Sequence, residues 1–251
     1  MKVSINTAVF LDDLQAEVSQ LTCLQRLQRL TASAIDAIEV RGEFFKSETK
    51  TTELHKIDQL CQQQNWQFYY SVPEELFQGS TINAQLATYL KMAQVNHIKS
   101  LKFSLGDCEN ISTETLAELQ QQLSATSVQV TIENQPNENG TLINMEQRLA
   151  WLKAAQSDLG YTFDAGNWCW VDTEPLTAFT KVQSAITVFH LKAIQNKDTV
   201  VLTANPANWQ KMLAQLQSTI PVFLEYAIPT DQLTEQIDLV NQQLQQRQAA
   251  L

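Results

Sequence analysis

Residues Leu159 to Trp170 read LGYTFDAGNWCW, a short apolar run that carries one carboxylate, Asp164, straight into a Gly-Asn turn. The same grammar recurs on both sides. VQVTIENQP delivers Glu133, ITVFHLKAIQ delivers His190 and Lys192, and PVFLEYAIP delivers Glu225. Four successive β-rich runs therefore stop on Glu, Asp, His and Glu. Polar residues at one end of many parallel strands are how a barrel or an open α/β sheet gathers an active site.

Working outward, strand-like and helix-like segments alternate along the whole chain. Lys2 to Ala8 reads as a strand, and the acidic pair Asp12-Asp13 starts a helix to about Leu30, with Leu14, Val18, Leu21, Leu24, Leu27 and Leu30 on one face. Strands follow at Ala34–Val40, Trp66–Ser71 and Ile98–Ser104, the last carrying Lys102. The helices between and after them hold Leu54, Ile57 and Leu60, then span Ile82–Val95 and Ser112–Leu123. The second half repeats the unit: strand Val128–Asn134 with helix Asn144–Gln156, then strand Leu159–Asp164 with a shorter helix from Glu174-Pro175, where proline suits the first turn. Ile186–Lys192 leads to a helix from Asn205-Pro206 to about Leu216. Val222–Glu225 leads to Asp231–Arg247, which keeps Leu233, Ile237, Val240 and Leu244 on one face. Eight strand–helix pairs with no remainder predict α/β architecture in one domain, residues 1–251: a single (β/α)8 TIM barrel, with an open doubly wound sheet as the alternative. No GxGxxG follows the first strand and no GxxxxGK[ST] occurs, which removes the usual nucleotide fingerprints.

Composition narrows the partners. The 251 residues are 44% hydrophobic and 18% charged, ample for a core and unlike a disordered chain. Seventeen Lys and Arg face 27 Asp and Glu, a net charge of -10, and there is no basic run to track phosphates. A small-molecule partner is expected, with no nucleic acid. Cys23, Cys61, Cys108 and Cys169 form no CxxC pair, so neither a zinc knuckle nor a disulfide framework is indicated. No secretion signal opens the chain and no apolar run spans a bilayer, which predicts a soluble, cytoplasmic protein with no membrane partner. Self-association as a homo-oligomer is compatible with all of this.

Glu133, Asp164, His190 and Glu225 together offer three carboxylates and an imidazole. A single such residue at a strand end is usually a cap or an ion-pair partner. Four on successive strands, at the face where barrels keep their sites, point to a metal. The oxygen-rich set suits manganese, magnesium or another hard-to-borderline divalent ion. Such an ion leaves the cluster with about one net negative charge; without it the carboxylates repel and one takes up a proton.

These residues resemble the xylose-isomerase-like (β/α)8 barrels, which include sugar-phosphate isomerases, ketose 3-epimerases and related dehydratases. The likeness covers nearly the whole chain and is carried by TIEN with Glu133, TFDAGNW with Asp164, FHLKA with His190 and LEY with Glu225. It implies that Glu133, Asp164, His190 and Glu225 bind one divalent metal, manganese first, with magnesium, cobalt or zinc as alternatives. It also implies that Glu133 and Glu225 act as catalytic acid and base. IEVR, with Glu39 and Arg41, is similar to a substrate-facing strand end. One departure stands out: related epimerases often carry histidine three residues after the Asp, where this chain has Asn167.

Chemistry alone reaches a similar place. An α-hydroxyketone chelating the ion has its C–H acidified, because the ion stabilises the enediolate. Glu133 can then remove the proton, and Glu225 can return it to the other face for an epimer, or the proton can move to the next carbon for an isomer. The function expected is a metal-dependent isomerase or epimerase of a small sugar, sugar phosphate or keto-sugar. The alternatives are a keto-sugar or inosose-type dehydratase at the same site, or a barrel without catalysis. DNA repair is disfavoured, since the trinuclear zinc site of endonuclease IV needs more histidines than the three present, and the charge opposes DNA.

Other residues complete the expected substrate set. Lys192 shares the strand face of His190 and suits a phosphate, a carboxylate or an enediolate oxygen, or else a structural ion pair. Glu39 and Arg41 share a face likewise. Lys102 points either into the barrel or to its helices. Asn167 and Trp168, with Trp170, stand where they can wall a sugar pocket, although core packing is the commoner use of such aromatics. Phe10, Phe44 and Phe45 hold similar early loop positions. His55 and His97 read as surface or structural. The segment NQPNENG, residues 134–140, is a candidate lid.

Overall fold

The structure is a computed structural model that describes residues 1–31, 34–204 and 207–249. Among the described residues, eight parallel strands form the barrel: β1 (Ser4–Asn6), β2 (Ala37–Arg41), β3 (Gln67–Gln78), β4 (Ile98–Asp107), β5 (Gln129–Glu133), β6 (Gly160–Asp164), β7 (Ile186–Leu191) and β8 (Val222–Leu224). Each pairs with its neighbour in sequence, and β1 pairs with β8 through Ser4 with Phe223 and Ile5 with Leu224, which closes the cylinder. The expected TIM barrel is the observed one. Its outer helices are α1 (Gln20–Thr31), α2 (Lys50–Gln64), α3 (Leu86–Val95), α4 (Thr113–Ser124), α5 (Leu142–Ala154), α6 (Pro175–Val182), α7 (Asn208–Gln215) and α8 (Leu233–Ala249).

Two separate cores follow from the two-residue alternation of the strands. Outward residues such as Ile38, Tyr70, Leu101, Val130, Phe163 and Phe189 meet the buried faces of the helices, including Leu233, Ile237, Val240 and Leu244 of α8. Inside the barrel, Ala37, Tyr69, Val188 and Phe223 make a small apolar cluster of their own. Tyr69 packs edge-on against Phe223 with ring centroids 4.9 Å apart. Beside this plug the hydroxyls of Thr131 and Thr162 share a hydrogen bond of 2.7 Å.

Local chemistry sets the element ends. Ser112 caps α4 by accepting from the Thr115 N–H, and Glu174 caps α6 from Thr177 just before Pro175. Asn65 ends α2 in the left-handed region, φ 56°.

Three expectations need correction, and a fourth falls outside the described residues. The first helix is broken: a 3-10 turn (Thr7–Phe10) and a five-residue helix (Leu11–Gln15) end at Glu17, whose φ is 61°, before α1 starts. Leucine spacing runs through that break because both pieces bury the same side. β3 and β4 run past the barrel rim. β3 bulges between Ser71 and Glu75, and an edge strand (Thr81–Ile82) turns back on it, so α3 begins only at Leu86. In this ribbon Gly106 has φ +79°, and a Cβ there would lie 2.1 Å from the Phe77 carbonyl oxygen. After β7 a hairpin (Ala193–Gln195 with Asp198–Val200) adds a unit beyond the eight pairs. Its two-residue turn is Asn196-Lys197, both at positive φ, the geometry that matches strand twist. Finally, α7 starts at Asn208, while the expected Asn205-Pro206 start lies outside the described residues.

Cys23, Cys61, Cys108 and Cys169 are all free thiols. No helix among the described residues is long and apolar enough to cross a membrane.

Candidate metal centre

Above the apolar plug, at the C-terminal ends of the strands, the inward side chains turn polar. Asn6 comes from β1, Glu39 and Arg41 from β2, Lys102 from β4, Glu133 from β5, Asp164 from β6, His190 from β7 and Glu225 from the residue after β8. All are buried except Arg41, which keeps 27% of its side chain exposed. Asp164 and His190 are register partners, as are Asn6 and Glu39. Ligand atoms of Glu133, Asp164, His190 and Glu225 lie within 4.8 Å of one another.

Asp164 is aimed by its own turn. Its Oδ1 accepts the backbone N–H groups of Gly166 (2.8 Å) and Asn167 (3.0 Å), which leaves Oδ2 for the barrel interior. Asn134, fully buried, braces the same strand end: its Oδ1 accepts from the Asp164 N–H and the Tyr161 hydroxyl, and its Nδ2 donates to the Asp164 carbonyl. The glycine at 166 is required by close approach, since a Cβ would lie 2.6 Å from carbons of the Lys192 stem.

His190 is gripped on both nitrogens. Nε2 lies 3.2 Å from Glu39 Oε2, and the other Glu39 oxygen accepts from Asn6 Nδ2 at 2.7 Å. Nδ1 lies 3.1 Å from both Glu133 Oε1 and Glu225 Oε2. Yet His190 Nδ1 and Glu133 Oε1 make no hydrogen bond, because neither contact has the required direction. Two buried polar atoms without partners, both facing the middle of an N/O ligand set, are what a divalent cation would satisfy. Glu39 would then hold the imidazole from behind, as a carboxylate commonly does for a metal-bound histidine. The residues fit the ion.

Three fixed cations share the space. Lys102 Nζ lies 2.9 Å from Glu133 and 3.8 Å from Glu225. Lys192 Nζ lies 2.6 Å from Asp164 Oδ2 and 3.2 Å from Glu225 Oε2. Arg41 reaches Glu225 Oε1 at 3.2 Å while its other side holds the exposed Glu43 at 2.7 Å. Glu225 also accepts from Asn6 at 3.3 Å.

The charges follow the geometry. Burial works against the ionised form of Glu225, but His190, Lys192 and Lys102 overcome it and hold its carboxyl well below the usual range. Glu133 is lowered as well, against burial, chiefly by Lys102. Burial raises Asp164 to about 7, and Lys192 only partly offsets it. The His190 ring is held well above its usual value, against burial, by Glu225 and Glu39.

No family model matches the chain, and no curated protein matches it. Solved structures do. They include a D-tagatose 3-epimerase-like protein (TM-score 0.69, 13% identity, 100% of this chain and 99% of that one). The probable 3-DHS dehydratase AsbF of petrobactin synthesis from Bacillus anthracis is another (TM-score 0.65, 15% identity, 98% of each). A third is an AP endonuclease of family 2 from Brucella melitensis (TM-score 0.59, 14% identity, 90% of this chain and 93% of that one). The chain has the fold of the xylose isomerase-like TIM barrels. At this level of identity the likeness concerns the fold. These structures are of an epimerase-like protein, a dehydratase and an endonuclease, so the fold alone does not choose a reaction.

Within this xylose isomerase-like barrel the structure brings Glu39, Arg41, Lys102 and Lys192 to the same ring as the four candidate ligands. Lys102 turns inward. Glu39 is spent on His190 and Asn6 rather than facing outward to a substrate. Asn167 is likewise engaged, donating its side-chain amide to the Asn134 carbonyl at 2.9 Å. Trp168 cannot wall a pocket: it is fully buried with its ring against Phe163, centroids 5.7 Å apart, while Trp170 is 47% exposed. Phe10 is buried in the core, and Phe45 stacks on Tyr70.

Residues 134–140 are no free lid. Asn134 and Gln135 are buried, and Gln135 bonds the Gly106 N–H at 2.6 Å and Glu75 at 2.6 Å. Gly140 packs against the Gln135 backbone so closely that a Cβ would sit 1.9 Å from its carbonyl oxygen. His97 is exposed and pairs with Asp58 at 3.0 Å, and His55 meets Gln59 on its helix, as surface and structural residues do. Two site residues escaped sequence reasoning, Asn6 and Asn134. Asn6 ends β1 in SINT as Glu133 ends β5 in TIE, so the same strand-end rule would have found it.

Proposed function

We propose that the protein is a divalent-metal-dependent isomerase acting on a small α-hydroxycarbonyl compound of carbohydrate type. The observation that carries this is the convergence of Glu133, Asp164, His190 and Glu225 within 4.8 Å, with Glu133 Oε1 and His190 Nδ1 buried and unsatisfied at its centre. Manganese is the first choice for three carboxylates and one imidazole, followed by magnesium, cobalt and zinc. When bound there, the ion supplies Lewis acidity that makes the C–H beside a chelated carbonyl easier to ionise.

The residues then divide the work. Glu133 is the base that takes the proton: with Oε1 turned to the cation, its Oε2 is held by Lys102, whereas both oxygens of Glu225 meet several cationic and polar groups. Lys102 offers positive charge to the oxygen that becomes anionic as the proton leaves. Glu225 is hemmed in by Arg41, Lys102, Lys192, Asn6 and His190, so its carboxylate is poorly placed to give up a proton. That favours movement of one proton between adjacent carbons by Glu133, an isomerisation, over a two-base exchange with Glu225 that inverts a centre. Two-base epimerisation and loss of a β-hydroxyl, a dehydration, are the competing outcomes.

The experiment is solvent-deuterium exchange with saturating manganese over a panel of ketoses, ketose phosphates and inosose-type ketones, followed by product analysis. Glu133→Gln should keep the fold and abolish exchange, while Glu225→Gln should retain part of it. Full exchange in Glu133→Gln would remove Glu133 from the role of base. Loss in both variants together with an inverted product would establish the two-base route. An unsaturated product would establish dehydration.

A further inference from the structure

The ring of charges has a surplus of donors that the reaction above does not use. With a divalent cation bound by a neutral imidazole, four buried carboxylates (Glu39, Glu133, Asp164 and Glu225) face three fixed cations (Arg41, Lys102 and Lys192) and the two charges of the ion, an excess of one positive charge. Glu43 shares Arg41 at the rim, but it is exposed and screened by solvent. The cation would also draw on carboxylate oxygens already in use. Asp164 has a single free oxygen, Oδ2, and Lys192 is on it. All three fixed cations lie within 4 Å of Glu225. A buried ammonium that loses its carboxylate partner is costly, and Lys102 and Lys192 have side chains only 8% and 15% exposed. Something that arrives with the cation must answer them.

We infer that the substrate itself carries an anionic group, a carboxylate or a phosphate, received by Lys192 with Arg41 beside the candidate cation site. This rests on the divalent-metal reading and adds the substrate's charge to it. Room exists for the rest of such a molecule. A cavity of about 280 Å3 meets Lys192, walled by Ala165, Cys169, Pro175, Ile194 and Trp209; Lys192 is its link to the site, since neither Arg41 nor the four candidate ligands line it. Glu174, also in its wall, accepts from the Thr177 N–H and from Asn208 but keeps its negative charge, so this cavity suits the uncharged part of the molecule. Gly166 keeps the lysine in this place, because only a residue without a Cβ lets its stem lie so close. Guanidinium and ammonium groups make their strongest hydrogen bonds to anionic oxygens.

Three probes share one reacting end, a hydroxymethyl ketone: dihydroxyacetone is neutral, hydroxypyruvate adds a carboxylate, and dihydroxyacetone phosphate adds a phosphate. Each is titrated calorimetrically into protein loaded with manganese and into protein stripped with EDTA, beside a direct manganese titration. On the loaded protein one anionic probe should bind at least about ten-fold more tightly than dihydroxyacetone. Which one it is separates carboxylate from phosphate. The preference should shrink on stripped protein, where the carboxylates still hold the lysines. It should fall to within about two-fold in Lys192→Met and return in part in Lys192→Arg. Manganese uptake with equal affinity for the three probes in the wild type overturns this inference and leaves the metal reading intact. Absence of manganese uptake overturns both. The wild-type comparison decides the matter even where Lys192→Met does not fold.

Discussion

The barrel interior is built in two storeys within one cylinder of strands, and they obey opposite rules. The lower is Ala37, Tyr69, Val188 and Phe223, apolar and packed ring to ring. The upper, one pleat further along, is Asn6, Glu39, Lys102, Glu133, Asp164, His190 and Glu225, where nearly every contact is an ion pair or a charged hydrogen bond. Burying apolar area stabilises the fold. Burying charges roughly cancels the gain against the cost of desolvation, and an ionic cluster is therefore weak evidence for stability. The lower storey holds the cylinder together; the upper spends that stability on a preorganised array.

The sharpest way to break this division is to empty the plug. Phe223→Ala removes a fully buried ring and should lower unfolding stability by about 3–5 kcal/mol in chemical denaturation. Phe223 also meets the His190 ring edge-on, centroids 5.7 Å apart, so the metal affinity of the protein that stays folded should fall by no more than a few-fold. A large loss of affinity would show that the plug positions the ligands as well. In the upper storey the balance should reverse. Asp164→Ala should weaken manganese binding by about 100-fold or more in calorimetry, since even partners behind a ligand carry roughly 10–100-fold. An unchanged affinity would remove Asp164 from the ligand set.

A gentler change tests the support behind the imidazole. Glu39→Gln keeps the shape but weakens the acceptor opposite His190 Nε2, and manganese affinity should fall about ten-fold. If instead affinity holds while substrate binding drops, Glu39 faces the substrate after all.

The smallest effect is one of pH. Asp164, raised by burial to about 7 despite Lys192, binds its proton more tightly in the folded chain than in the unfolded one. In metal-free protein its contribution to stability is therefore full below about pH 4 and is lost as pH rises through about 7. A cation needs the Asp164 carboxylate bare and the His190 nitrogen free of its proton, so manganese affinity should climb through this window, by up to about ten-fold per pH unit for each proton released. Titrations between about pH 6 and 8 in buffers of different ionisation enthalpy would count those protons. A flat profile would mean Asp164 is already ionised.

The upper storey was more legible in the sequence than the lower. A charged residue closing an apolar run stands out, and Glu133, Asp164, His190 and Glu225 are each such a break. Tyr69, Val188 and Phe223 are apolar residues among apolar residues, and only pleat direction separates them from the outward Tyr70 and Phe189. Trp168 was misplaced for a related reason: an aromatic after a strand end looks the same whether it faces solvent or Phe163. The 134–140 segment looked mobile because Asn, Gln, Pro and Gly are loop residues. Its start is held by Gly106 on β4 and Glu75 on β3, two strands distant in sequence that leave no local trace. The Asn196-Lys197 hairpin hid because its turn lacks glycine.

Asn6 joins Glu39 on its own side of the seam to Glu225 across it. β1 comes first and β8 last among the barrel strands, so the pocket is completed only where the two ends of the cylinder meet. Without that closure Glu133, Asp164 and His190 still neighbour one another on adjacent strands, but the ring lacks Glu225, its fourth ligand.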